Sequence, residues 1–339
     1  MDHSAPILSG GVLLQEAERI LGGGTPLTLP ANISSSGWTQ LFPAAAPRPR
    51  AQEAIAYDPT DGYVVIYGGF DSHQILNDTW TFSGGVWTNL TATAGSPGAR
   101  RSAMMSWDSV DGYAVLFGGS NAQGNYLNDT WKFVGGHWHR MTTPVAPVGR
   151  RSFGMAYDAA DGYVVLFGGH TKRGVGGAYG FLNDTWTFTG GRWTEVYAAD
   201  SPSVRAEPNM AWDGGDSYVL LFGGYSNDHA PALRDTWSFA AGVWTNRTTT
   251  GGPGGRDGAG IDYNATGGYV LMFGGHSRGK QYNDTWVYYA GAWSQLRPST
   301  PPGGRSGDRL SWDAKDGYMV LFAGSQFPKS WLNDTWSFD

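Results

Sequence analysis

The stretch DGYVVLFGG, Asp161–Gly169, decides the fold. It opens on turn chemistry: Asp accepts hydrogen bonds from its own backbone, and Gly takes positive φ. Tyr163–Phe167 is then a continuous β-branched and aromatic run, as expected of a strand buried on both faces. A glycine doublet closes it. The phrase returns as DGYVVIYGG at Asp61, DGYAVLFGG at Asp111, DSYVLLFGG at Asp216, GGYVLMFGG at Gly267 and DGYMVLFAG at Asp316, in steps of 50, 50, 55, 51 and 49 residues. Self-similarity at such a period marks a repeat architecture.

Three more phrases keep step with it. NDTW follows at Asn77, Asn128, Asn183, Asn283 and Asn333, with RDTW at Arg234. A glycine-rich turn then leads to Trp87, Trp138, Trp193, Trp244 and Trp293. An arginine (Arg50, Arg100, Arg150, Arg205, Arg256, Arg305) stands eight residues before an acidic or amide residue in every unit. Each unit therefore reads as four short antiparallel strands, a to d. In strand a, large Met155 and Tyr157 alternate with small Gly154 and Ala156, the period of two that a strand requires. A four-stranded sheet cannot bury two apolar faces alone, but sheets arranged radially cover one another. The sixth unit stops after strand c. The segment around Trp38 matches strand d, so it is expected to pair with Thr335–Phe338 and close the ring. The prediction is an all-β, six-bladed propeller over residues 31–339, with residues 1–30 a linker or docking extension in which Val12–Leu21 forms a short helix.

Composition narrows the function classes. The chain has 339 residues, 52 of them glycine, no cysteine, 15% charged residues and a net charge of −6. Without cysteine there are no disulfides, thiolate metal sites or cysteine nucleophiles. The negative balance argues against nucleic acid as a partner. No apolar run approaches the ~18 residues of a membrane span. Asn-x-Ser/Thr sequons, polar turns and the missing cysteine lean towards an extracellular or cell-surface setting over a cytoplasmic one. The oligomeric state is left open.

The doublets at Gly68, Gly118, Gly168, Gly223 and Gly274, the later tryptophans and the arginine before each strand a resemble the kelch repeat, over roughly Gly37–Asp339. Blade six departs from the pattern with Ala323-Gly324. The resemblance, to the kelch and galactose-oxidase-like propellers, implies that the b–c and d–a loops share one face, usually a binding face. Activity does not follow from the fold. A galactose-oxidase-like copper site needs a cysteine-crosslinked tyrosine, and the DTW phrase lacks the context of a sialidase Asp box.

Residues present in every blade are expected to build the blade. Fifteen of the 16 tryptophans fall at repeat positions and should pack between blades. The Asp of DTW is expected to cap a turn, and the arginine to bond loop carbonyls or the DTW Asp of a neighbouring blade. Function is sought in what varies. The b–c loops carry Tyr126, His170, Lys172, Arg173, Tyr179, Tyr225, His229, His276, Arg278, Phe327 and the one off-pattern tryptophan, Trp331. Trp, Tyr and Arg on loops of a rigid scaffold are the usual recognition anchors. At the axial entrance Glu53, Asp308, Arg309, Asn209 and Asp262 break otherwise small or apolar positions and are expected to line the channel mouth. No catalytic residue, metal ligand or cofactor is assigned, since His170 and His276 stand two blades apart and no metal motif occurs. The expected function is non-catalytic recognition of a protein or glycan. The alternatives are a propeller enzyme, of hydrolase or lyase type, using the channel-mouth charges, and a structural domain of a larger surface protein.

Overall fold

The computed structural model describes residues 28–172, 180–226, 231–326 and 330–339. Six four-stranded antiparallel sheets stand around an axis. The third blade shows the plan: strand a is Gly154–Asp158, b is Tyr163–Thr171, c is Gly180–Thr189 and d is Arg192–Val196. The innermost strands are Ala54–Asp58, Met104–Asp108, Gly154–Asp158, Asn209–Asp213, Gly260–Asn264 and Arg309–Asp313, and each neighbours the next until the sixth meets the first. The only α-helix among the described residues is one turn, Ala31–Ser34, whose Ile33 packs on the core between blades 5 and 6. The expected helix at Val12–Leu21 lies outside the described residues.

Closure is as the repeats require. Trp38–Leu41 pairs antiparallel with Thr335–Phe338, Trp38 opposite Phe338 and Leu41 opposite Thr335. The first strand of the chain is thus the outer strand of the last blade. The a–b turns also follow the sequence: Asp58 Oδ1 accepts from the backbone N–H of Thr60 and Asp61, and Gly62 has φ +68°.

Six apolar clusters hold the blades, one at each interface. Strand a explains their fit. Its large side chains lean on the preceding blade, where the facing residues are small: Leu310 Cβ lies 3.1 Å from where Gly260 would carry a Cβ, and Met105 packs with Ala54 and Ala56. The strand d tryptophans bridge outward in the same sense. Trp138 meets Tyr67 of the preceding blade edge-on at 4.9 Å and donates from Nε1 to Thr79 Oγ1 at 2.9 Å. Trp38, Trp87, Trp193, Trp244 and Trp293 make the same bond to the DTW threonine of the blade before them. An indole buries 150–250 Å² and needs a partner for its N–H, and this threonine supplies it.

The arginine phrase is corrected in one respect: the partner lies in the same blade, not a neighbouring one. Arg50 Nη1 and Nη2 donate to Asp78 Oδ1 and Oδ2, both at 2.7 Å, and Nη1 also donates to the Gly68 carbonyl at 2.9 Å. Trp80 Nε1 donates to Asp78 Oδ2 at 2.8 Å. All six blades repeat this set, for instance Arg150 with Asp184, Gly168 and Trp186. The Asp therefore binds a buried guanidinium and an indole rather than capping a turn. Burial alone would raise the Asp78 carboxyl; the hydrogen bonds and charge of Arg50, with Trp80, outweigh it and hold it below its usual range. The doublet is needed because a Cβ on Gly68 would lie 2.5 Å from the Arg100 carbonyl oxygen of the next blade. In blade six Ala323 takes this place at φ +62°.

Candidate functional site: the loop face and the axial channel

The residue two past each arginine lies at the axis. Gln52, Ser102, Ser152, Glu207, Gly258 and Gly307 all have φ between +50° and +65°. That shared left-handed turn points each N–H along the ring. Ser102 N donates to Gln52 O, Ser152 N to Ser102 O, Glu207 N to Ser152 O, Gly258 N to Glu207 O, Gly307 N to Gly258 O and Gln52 N to Gly307 O, at 2.7–3.3 Å. The hydrogen bonds form a closed collar at the loop end of the channel. Glu207 lies along its rim, accepting from Ser152 Oγ at 3.1 Å. Burial raises the Glu207 carboxyl, and the charge of Asp257 pushes it the same way.

On the loop face, half-buried rings and guanidiniums and the exposed Lys172 make an arc across blades 6, 1, 2 and 3. Trp331 meets Phe70 edge-on at 6.0 Å. The Arg101 guanidinium stands 4.8 Å from the Phe70 centroid. Arg151 and Lys172 stand 5.2 and 5.6 Å from that of Tyr126. The Nε atoms of Arg101 and Arg151 are buried without a hydrogen-bond partner. Desolvation lowers the Arg101 pKa, and the charge of Arg151 adds to the effect. Two guanidiniums on neighbouring blades, each against an aromatic ring, offer an anionic group both charge and their Nη donors. Further round, His170 packs against Phe181 and Tyr225 at 4.3 and 5.6 Å. His276 Nδ1 is 3.7 Å from Asp257 Oδ1, and this carboxylate beside it raises the His276 pKa. Arg278 is exposed in the tight turn beyond His276.

Trp331, Tyr126, His170, Lys172, Tyr225, His276 and Arg278 thus share the loop face but not one site, and the first, second and fourth belong to the arc. Arg173, Tyr179, His229 and Phe327 lie outside the described residues. Phe70, Arg101, Arg151 and Glu207 were not singled out from sequence. A signal existed for two of them: the doublets Arg100-Arg101 and Arg150-Arg151 occur in blades 2 and 3 alone.

The channel-mouth set divides. Asn209 and Asp262 reach the next blade's inner strand, Asn209 Oδ1 accepting from Ala259 N at 2.8 Å and Asp262 Oδ2 from Trp312 N at 2.8 Å. Arg309 Nε donates to the Glu53 carbonyl of blade 1 at 2.7 Å. Strands at a propeller's axis have one edge unpaired, and these side chains satisfy it. Glu53 and Asp308 do not line the mouth, a correction to the expectation: both are fully buried between blades, because their position points sideways, as Phe153 does onto Phe117 at 5.7 Å. Their four carboxyl oxygens have no hydrogen-bond partner. Desolvation raises both to about 7, against the opposing charge of Arg309 near Glu53 and of Arg305 near Asp308.

The Kelch-repeats domain described for KLHDC2, KLHL20 and DRC7 matches residues 27–197, 81–241 and 189–339. The chain belongs to this Kelch-repeat family. No curated protein matches it. Kelch-repeat domains typically serve as protein-interaction scaffolds. No helix among the described residues is long and apolar enough to cross a membrane, and no group of three metal-ligating side chains occurs among them.

Proposed function

We propose that this Kelch propeller is a non-catalytic recognition scaffold that holds a protein or glycan partner on its b–c and d–a loop face. The observation that carries the reading is the arc of Trp331, Phe70, Arg101, Tyr126, Arg151 and Lys172, which sets two guanidiniums and an ammonium against aromatic rings. A protein segment bearing acidic and aromatic side chains suits it best, since half-buried guanidiniums favour carboxylates and ring faces favour stacking. The arc belongs to four blades, so a bound segment would cross blade boundaries while the ring beneath stays rigid.

Peptide and glycan arrays test the reading, with Arg101→Ala/Arg151→Ala and Trp331→Ala as variants and near-UV circular dichroism as the check on folding. Saturable binding to acidic peptides, lost in the folded variants, is expected. Binding confined to glycans moves the proposal to the sugar alternative. Turnover in a hydrolase or lyase screen would overturn it in favour of an enzyme, and silence in all three assays in favour of a structural domain.

A further inference from the structure

We propose that the axial cavity is a second ligand site, entered from the face opposite the loops, for a small apolar molecule carrying a carboxylate or a similar anionic head. The cavity encloses about 360 Å³, within the range of small-molecule pockets. It runs from the collar to the a–b turns, where Pro59, Ser109, Ala159 and Ala265 are exposed. Its wall is mostly apolar: Ile55, Met104 and Ile261 in the middle, and an alternating Tyr/Trp series at the turn end that begins Tyr57, Trp107, Tyr157, Trp212. These four aromatic rings are only half-buried.

One cation sits inside. Arg309 leaves blade 6, donates to the Glu53 carbonyl of blade 1, and extends its Nη2 to within 3.7 Å of Met104 Sδ in blade 2. A thioether is a weak acceptor. That nitrogen therefore presents N–H donors to the cavity with no oxygen among its hydrogen-bond partners. Every other blade has Ala, Gly, Met or Asn at the position of Arg309, so the cation is singular in the ring. An anionic head at Nη2 would gain a charge-assisted hydrogen bond in a site of low polarity, with its apolar body against the methionine, isoleucines and rings. A neutral molecule of the same shape would gain only the apolar contact. Glu207 and Asp262 also line the cavity, but their carboxyls already accept from Ser152 Oγ and from the amides of Tyr263 and Trp312, so Arg309 Nη2 is the charged group left to fill and an ammonium beside it would be disfavoured.

This site is independent of the loop-face reading, and its test uses other ligands. Octanoate, 1-octanol and octylamine are titrated into the full-length protein, followed by calorimetry and by tryptophan fluorescence, to which Trp107, Trp212 and Trp312 at the cavity wall contribute. Octanoate is expected to saturate, about tenfold or more tighter than 1-octanol, with octylamine weakest. Arg309→Gln should bring octanoate down to the level of 1-octanol while a thermal melt shows the variant folded. Equal binding of octanoate and 1-octanol, a preference for octylamine, no saturable signal for octanoate, or unchanged octanoate binding in folded Arg309→Gln would each overturn the proposal. Because Arg309 also ties blade 6 to blade 1, the variant can fail to fold; the three-ligand series in the unmutated protein then decides by itself.

Discussion

Replacing Glu53 with Gln and Asp308 with Asn should make the protein more stable above neutral pH and leave it almost unchanged near pH 4. Both carboxyls are fully buried, lack hydrogen-bond partners and are raised to about 7 from ordinary values of 4.5 and 3.8. Between about pH 4 and 7 the folded protein then holds protons that the unfolded chain has released, so stability falls as pH rises through this window and levels off above it. Ionising them in the fold costs on the order of 3 kcal/mol for Glu53 and 4 kcal/mol for Asp308. Urea unfolding at intervals from pH 4.5 to 8.5 measures this directly. The wild type should lose stability across the window, and the double variant should lose markedly less. Some slope will remain, because burial also raises Asp213 to about 7 and Asp262 and Asp313 to about 6. A double variant with the wild-type slope, or one less stable than the wild type at pH 8, would refute the argument.

Arg150→Leu should destabilise the fold by about 3–5 kcal/mol in the same assay, since it strips Asp184 of its bidentate partner and leaves the Gly168 carbonyl without its guanidinium donor. Ala323→Gly should stabilise by about 1 kcal/mol, read as a higher melting temperature, because it relieves a left-handed residue at φ +62° where five other blades have glycine.

Much of the fold was legible because repetition amplifies weak signals. One DTW or one glycine doublet says little; six in fixed order locate every strand, and the unmatched halves at Trp38 and Trp336 predict the closing pair. Same-blade pairing of Arg50 with Asp78 was not legible, since spacing along the chain does not say which of two equivalent carboxylates folds back. The collar was hidden for a different reason. Gln52, Ser102, Ser152, Glu207, Gly258 and Gly307 share a backbone conformation and almost no side-chain chemistry, so nothing in their identities announces them. Glu53 and Asp308 stood out as charges in an apolar column, but alternation alone does not tell a side chain aimed at the axis from one aimed at the neighbouring blade. The arc on the loop face is not legible in the sequence because Phe70 and Trp331 lie far apart in the chain and meet only after the ring has closed.

The collar has one more consequence. Its six peptide dipoles run head to tail in a circle, so each polarises the next and their sum along the axis is near zero. The field in the bore is then set by the side chains that flank it rather than by the backbone that builds it. A loop of this kind is as strong as its longest link, which is Gly258 N to Glu207 O at 3.3 Å. At that same seam Asn209 reaches across to the amide of Ala259 and the carbonyl of Arg256. The splice is doubled where the circle is weakest, and any breathing of the barrel should begin elsewhere.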